Sequence, residues 1–214
     1  MRFVDRVDAG RHLAEALGLL AGTDLVVLGL PRGGVPVAAE VARALDAPLD
    51  VLVVRKLGLP WHPELAMGAI AGVGGALEEV RNEQVIRQAR VSDEILDEVR
   101  AREVDELRRR EQAYRGDRPA VDVRGRTVVV VDDGLATGST MRAAVAAVRE
   151  QSPEAIVVAV PVGSRDTCAR LRLEVDEVVC VSTPLGFVAV GQAYGDFRPT
   201  SDDEVRAALS GPTG

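Results

Sequence analysis

Thr127-Val128-Val129-Val130-Val131-Asp132-Asp133-Gly134-Leu135-Ala136-Thr137-Gly138-Ser139-Thr140-Met141 is the stretch on which the reading of this chain turns. Four consecutive valines suit a strand covered on both faces. Two carboxylates close that strand, and a short loop of small and hydroxylated residues leads into Met141 to Val148, an Ala-rich segment of strong helix propensity. Strand, compact loop and helix start together make an anion site. The loop amides and the free N–H groups of the first helical turn converge on one point, and the helix dipole favours negative charge there. Thr137, Ser139 and Thr140 add hydroxyl donors, while Gly138 permits close backbone approach. A phosphate cradle repels carboxylates, so Asp132 and Asp133 are expected to serve something beside the phosphate, either a vicinal diol or a divalent metal. Two other motifs do not fit. A Walker A loop needs Lys where Ser139 stands, and Gly134 and Gly138 do not match the G-x-G-x-x-G spacing of a dinucleotide fingerprint.

Around this stretch the chain alternates apolar runs with helical patterns. Ala9 to Leu20 reads as an amphipathic helix, Leu25 to Leu30 as a buried strand, Val35 to Leu45 as a helix and Leu49 to Val54 as a second strand. Beyond the valine run come a helix at 141–150, a strand at Ala155–Val160, a short helix at 164–172 and a strand at Val178–Val181. Strands separated by helical crossovers predict an α/β fold, an open and mainly parallel sheet flanked by helices, with ligands beyond the C-terminal strand ends. The chain is 214 residues long and 47% hydrophobic, enough for one sizeable core. Its net charge of −7 offers no footprint for nucleic acid. Cys168 and Cys180 show no metal-ligand spacing, and neither a signal segment nor a membrane-spanning run is present. The expectation is a soluble, cytoplasmic protein with no membrane partner.

Other segments carry candidate chemistry. Pro31-Arg32-Gly33-Gly34 ends the first strand, where Arg32 and the amides at Gly33 and Gly34 can meet a diphosphate. Arg55 and Lys56 are expected to end the second strand and face the same crevice. The Gly- and Ala-rich segment from Trp61 to Gly75 suits a lid that excludes water, and His62 at its head reads as an exposed loop histidine. From Val91 to Tyr114 the pairs Glu98/Arg102, Asp105/Arg109 and Glu106/Arg110 predict one long charged helix, covering the sheet or reaching a partner subunit in a homodimer. Aromatic residues are only 3% of the chain, yet Phe187, Tyr194 and Phe197 fall together near its C-terminal end, where rings could stack on a planar heterocycle.

The run Val-Asp-Asp-Gly-Leu-Ala-Thr-Gly-Ser-Thr-Met resembles the phosphoribosyl-diphosphate (PRPP) motif of the type I phosphoribosyltransferases, closest in wording to the adenine branch. That resemblance implies transfer of a 5-phosphoribosyl group from PRPP to a nitrogen acceptor, nucleobase-like in kind, with release of pyrophosphate and with Mg²⁺ as cofactor. Ala136, Thr137, Gly138, Ser139 and Thr140 would anchor the 5′-phosphate, and Asp132 and Asp133 the ribose hydroxyls, directly or through the metal. Arg32, Gly33 and Gly34 would form the pyrophosphate loop, in which the family often holds a cis peptide, here Pro31–Arg32. Arg55 and Lys56 match the segment that opens the family's mobile loop, although the further Lys often found before Leu-Pro is missing. Phe187, Tyr194 and Phe197 would contribute to the acceptor site. The family picture is one domain over 1–214, with a lid and helical insertion at about 57–120 and a C-terminal hood contribution at about 182–200. Ala136 replaces an Asp common in enzymes acting on 6-oxopurines, which disfavours hypoxanthine and guanine as acceptors by that mechanism. On the same fold, a regulatory protein that binds PRPP or a nucleotide without catalysis is the alternative.

Overall fold

Alternation along a strand sends neighbouring side chains to opposite faces, so a run of valines must find two cores. In the computed structural model, which describes residues 1–211, it does. The elements run α1 (Arg6–Ala16), β1 (Leu25–Gly29), α2 (Gly34–Leu45), β2 (Leu49–Val51), β3 (Val54–Leu59), β4 (His62–Val73), β5 (Ala76–Arg81), α3 (Glu83–Gln88), α4 (Asp93–Arg115), β6 (Thr127–Val131), α5 (Ser139–Glu150), β7 (Ala155–Val162), α6 (Arg165–Leu171), β8 (Glu177–Ser182) and α7 (Asp202–Leu209). Val128 and Val130 pack into the core shared with α5, and Val129 and Val131 into the core shared with α1 and α2. All four are fully buried.

The main sheet has five parallel strands in the order β2-β1-β6-β7-β8. It is the open, mainly parallel α/β sheet that the strand–helix alternation predicts. Chain direction across the sheet reverses between β1 and β6, the position at which such sheets form a ligand crevice. Register matters here: Gly29 lies opposite Val131, so the two strands end level and their following turns meet. Helix boundaries follow local chemistry. Asp5 caps α1 by accepting from the Asp8 N–H, which starts the helix three residues before the expected Ala9, and Ser92 caps α4 by accepting from Ile95.

The segment after β2 departs from expectation. Leu49 to Val54 is not one strand: β2 ends at Val51, and β3 begins a separate antiparallel sheet, β3-β4-β5. The expected lid at 61–75 is mostly β4, a 12-residue strand joined to β3 by a tight hairpin in which Leu59 faces His62. Its small residues are packing requirements. A methyl on Gly72 would stand 2.0 Å from Glu111 Oε1 on α4, and one on Gly68 would stand 2.4 Å from the Val80 carbonyl on β5. The long charged helix forms as expected and lays Leu96, Val99, Val104 and Leu107 on this second sheet. Of its three anticipated i,i+4 pairs only Glu106–Arg110 is among the ion pairs of the described residues; Arg109 turns to Glu106 and Arg102 to its neighbour Glu103. Among the described residues no helix is long and apolar enough to cross a membrane.

Candidate functional site

The acidic pair at the end of β6 is built into the backbone. Asp132 Oδ1 accepts the Asp133 N–H at 2.8 Å, and Asp133 Oδ2 accepts Arg6 Nε at 2.8 Å. Arg6 is the first residue of α1. Its Nη1 donates to the Arg198 carbonyl at 2.9 Å, and its guanidinium lies 4.2 Å from the centre of the Phe197 ring. The turn after β1 touches the same pair. A methyl on Gly33 would stand 2.0 Å from Asp133 Oδ2, and one on Gly34 would stand 2.8 Å from Asp132 Cα. The double glycine is therefore what lets Arg32-Gly33-Gly34 meet the carboxylates. Burial pushes Asp132 well above the ordinary carboxylate range, and the neighbouring Asp133 charge adds to it against the pull of Arg6. Burial raises Asp133 as well, with the Arg6 hydrogen bond opposing.

Ala136 to Thr140 form the loop into α5. Gly138 sits at the helix N-cap with φ +75° and has no side chain to cap the first turn, whose Ser139 N–H meets only the Thr137 hydroxyl, at 3.5 Å. The loop is held from behind. Thr167 on α6 donates its hydroxyl to the Ala136 carbonyl at 2.7 Å, and its methyl would lie 2.7 Å from a Cβ on Gly138. Ala136, Thr137, Ser139 and Thr140 are exposed, with the Thr137 and Ser139 hydroxyls 3.3 Å apart. Open amides and hydroxyls at a helix N-terminus of positive dipole suit an anion.

Arg32, Arg55 and Lys56 are placed unequally. The Pro31–Arg32 peptide is cis, as expected, and Arg32 Nη1 lies 3.7 Å from Asp202 on α7. Arg55 and Lys56 do not end a main-sheet strand; they are neighbours on β3 and so point to opposite faces. Arg55 turns to α4, where Nε and Nη2 both donate to Glu103. Lys56 has no ion pair among the described residues. A cleft of about 540 Å³ still joins these cations to the loop, because Arg55, Lys56, Arg102, Glu103 and Thr140 all line it.

The aromatic trio is not an open stacking platform. Tyr194 is buried, lies 5.0 Å from Phe197 and 5.7 Å from Phe3, and donates its hydroxyl to the Asp133 carbonyl at 2.6 Å. Burial raises its phenol above the usual range. The expected contact with a heterocycle is corrected for Tyr194: its ring packs the C-terminal segment onto the N-terminus, where Phe3 pairs with it in a β-bridge. One face of Phe197 is taken by Arg6, and Phe187 is half-buried against the same cluster. His62 is exposed in the hairpin, and among the described residues no group of three or more His, Cys, Asp or Glu is arranged to hold a metal.

Sequence reasoning missed Arg6, Glu103, Thr167 and Asp202. Each reaches the site from a distant element, and nothing in its local pattern marks it.

The comparisons with known proteins agree with this architecture. A Thermus thermophilus protein of known crystal structure, TT1426, is 48% identical and superimposes with a TM-score of 0.85, covering 98% of either chain. Two Mycobacterium tuberculosis proteins, from strains CDC 1551 and H37Rv, each bear the name “Putative phosphoribosyl transferase”. Both are 51% identical over 207 residues, 97% of this chain. The chain spans about half the length of these two relatives, 46% of each. The family model for the phosphoribosyl transferase domain matches residues 5–194, a span holding the double-glycine turn, the acidic pair and the loop into α5. A match over that much of the chain, with those residues gathered at the switch point of the sheet, leaves one conclusion: the chain belongs to the phosphoribosyl transferase domain family.

Proposed function

We propose that this chain transfers the 5-phosphoribosyl group of PRPP to a nitrogen nucleophile. The observation that carries this reading is the convergence, at one point of the sheet, of the glycine-started helix N-terminus at Gly138–Thr140 with the paired carboxylates and the Arg32–Gly34 turn. The loop amides and hydroxyls bind the 5′-phosphate. Asp132 and Asp133 accept hydrogen bonds from the ribose hydroxyls. Arg32 and the Gly33 amide receive the diphosphate, with Lys56 at the adjoining cleft, while the Gly34 N–H is held by the Leu30 carbonyl at 3.0 Å. The diphosphate enters as its magnesium complex, so the metal comes with the substrate. In the reaction the C1–O bond to diphosphate breaks, its electron pair leaving on the diphosphate oxygen. The acceptor nitrogen lone pair forms the new C1–N bond, and the proton on that nitrogen is lost to solvent. Holding both phosphate ends orients the sugar while charge separates at its centre. The acceptor is nucleobase-like; Phe187, half-buried at the edge of the aromatic cluster, is the ring left to meet it.

A second reading, binding of PRPP without turnover, is favoured by one feature. Arg55 is ion-paired to Glu103 and Arg32 to Asp202, which leaves Lys56 as the one cation of the three with no carboxylate partner among the described residues. Pyrophosphate release from magnesium-PRPP, measured against a panel of nucleobases and amines, separates the two. Turnover with any acceptor supports transfer. Tight PRPP binding with no turnover across the panel supports the sensor, and no binding of PRPP overturns both.

A further inference from the structure

Resting on the sugar-phosphate reading above, we propose that Arg6 is a built-in counter-ion of the acidic pair, keeping Asp132 and Asp133 free of metal and reserved for uncharged hydroxyl groups. A divalent cation bound directly to a carboxylate oxygen sits at about 2.0–2.5 Å. On Asp133 Oδ2 that place is contested, because Arg6 Nε already lies 2.8 Å away. A metal there would meet a full positive charge a few ångströms off in a weakly screened setting. Arg6 is not free to withdraw. Its side chain is only 13% exposed, Nη1 is held by the Arg198 carbonyl at 2.9 Å, and Phe197 supports its face at 4.2 Å.

The remaining donors do not rescue a metal site. Asp132 Oδ1 is engaged by the Asp133 N–H, and although Asp132 Oδ2 and Asp133 Oδ1 keep their lone pairs, among the described residues no third carboxylate, His or Cys joins them to complete a ligand set. The donor set thus fails for a directly held magnesium ion. It suits a vicinal diol. Hydroxyl groups are neutral, meet no repulsion from Arg6, and need only the lone pairs that Asp132 and Asp133 still offer. Arg6 is then a positioning residue: it sets the Asp133 carboxylate against Gly33 and ties that carboxylate to the segment carrying Phe197 and Arg198.

The test is a titration with Mn²⁺ alone, followed by electron paramagnetic resonance, on the full chain with no sugar present. The wild type is expected to show no stoichiometric Mn²⁺ site. R6Q is expected to gain one, bound at least about tenfold more tightly, which disappears in the R6Q/D133N double variant. R6K, which keeps the charge, is expected to match the wild type. A wild-type Mn²⁺ site abolished by D133N overturns the proposal, as does a folded R6Q with no gain. Should R6Q fail to fold, binding of ribose 5-phosphate to the wild type in EDTA decides: binding without metal supports the proposal, and a strict need for Mn²⁺ overturns it. Absence of ribose 5-phosphate binding under both conditions sinks the sugar-phosphate reading itself, and the hydroxyl part of this proposal with it, while the Mn²⁺ titration independently decides the counter-ion part.

Discussion

A single missing methyl group governs how the acidic pair sits. At Gly33 a Cβ would fall 2.0 Å from Asp133 Oδ2 and 3.0 Å from Arg6 Nε, so no side chain fits without moving the carboxylate. G33A is expected to keep its far-UV circular dichroism and to lose at least about tenfold in PRPP affinity, roughly 1.4 kcal/mol, by calorimetry. Unchanged affinity would separate this glycine from the site. Asp132 poses the opposite case, a residue that costs stability. Burial and the Asp133 charge raise its folded-state pKa above the unfolded value of about 3.9. Folding therefore favours the neutral acid. That contribution is whole below about pH 3.9 and is lost as pH rises through the raised folded value. D132N keeps the neutral form at every pH, and its Oδ1 can still accept the Asp133 N–H. Its Tm should exceed the wild type's at pH 7 by a few degrees, each kcal/mol being worth about 2–4 °C in a chain of this size, and the gap should close towards pH 4. A D132N protein that melts below the wild type at pH 7 would refute this. Both acids were legible in the sequence because they close a strand. Arg6 was not, since 127 positions separate it from its partner and only the folded chain joins them.

At the scale of elements, the strand–loop–helix unit was read correctly because every part of it is locally encoded. Valines specify a strand with two covered faces, Gly138 supplies the positive φ, and the alanines of α5 favour helix. The β3–β4–β5 sheet was not read, for an equally physical reason. Gly68, Ala69, Ala71 and Gly72 have little intrinsic strand preference, and they are small because α4 and β5 press on them. Tertiary packing makes that strand, so its pattern imitates a loop. Misplacing β3 also misplaced Arg55, which serves as a tie between β3 and α4. The pair with Glu103 is half-buried, the side chains being 26% and 12% exposed. Replacing Glu103 by Gln should cost about 1–2 kcal/mol, between the values for surface and fully buried pairs. The same change frees a guanidinium at the cleft shared with Thr140. E103Q is thus expected to melt a few degrees lower and yet to bind pyrophosphate severalfold more tightly. If both quantities fall together, Arg55 has no part in anion binding.

Across the whole molecule, three separated pieces of chain close one site: the turn after β1, the loop after β6, and the C-terminal segment that returns to the N-terminus through Tyr194 and to Arg32 through Asp202. The first two were legible because parallel strands that alternate with helices must end at one edge of the sheet. The third was legible as an aromatic cluster but not as a clasp, since neither the Tyr194 hydrogen bond to Asp133 nor the contact of Asp202 with Arg32 has a signature near the residues it joins. Stability should be distributed accordingly. β1, β6 and β7 are hydrogen-bonded on both sides and buried on both faces, so their amides open only with the global transition and should exchange slowest. The β3–β4 hairpin, where Trp61 and Leu65 stand exposed, and α3, which buries no residue fully, should exchange fastest. Magnesium-PRPP should slow exchange at 32–33 and 137–141, whose amides meet the two phosphate ends, and also at 194–198, through Arg6 and the Asp133 carbonyl. Arg6 supplies one of these two links and Tyr194 the other, so R6Q should keep the first two protected regions and weaken the third. Protection confined to the cavity between α1, α2 and α7, lined by Val7, Pro36 and Ala208, would instead place the ligand outside the crevice and undo the assignment of Asp132 and Asp133 to the sugar.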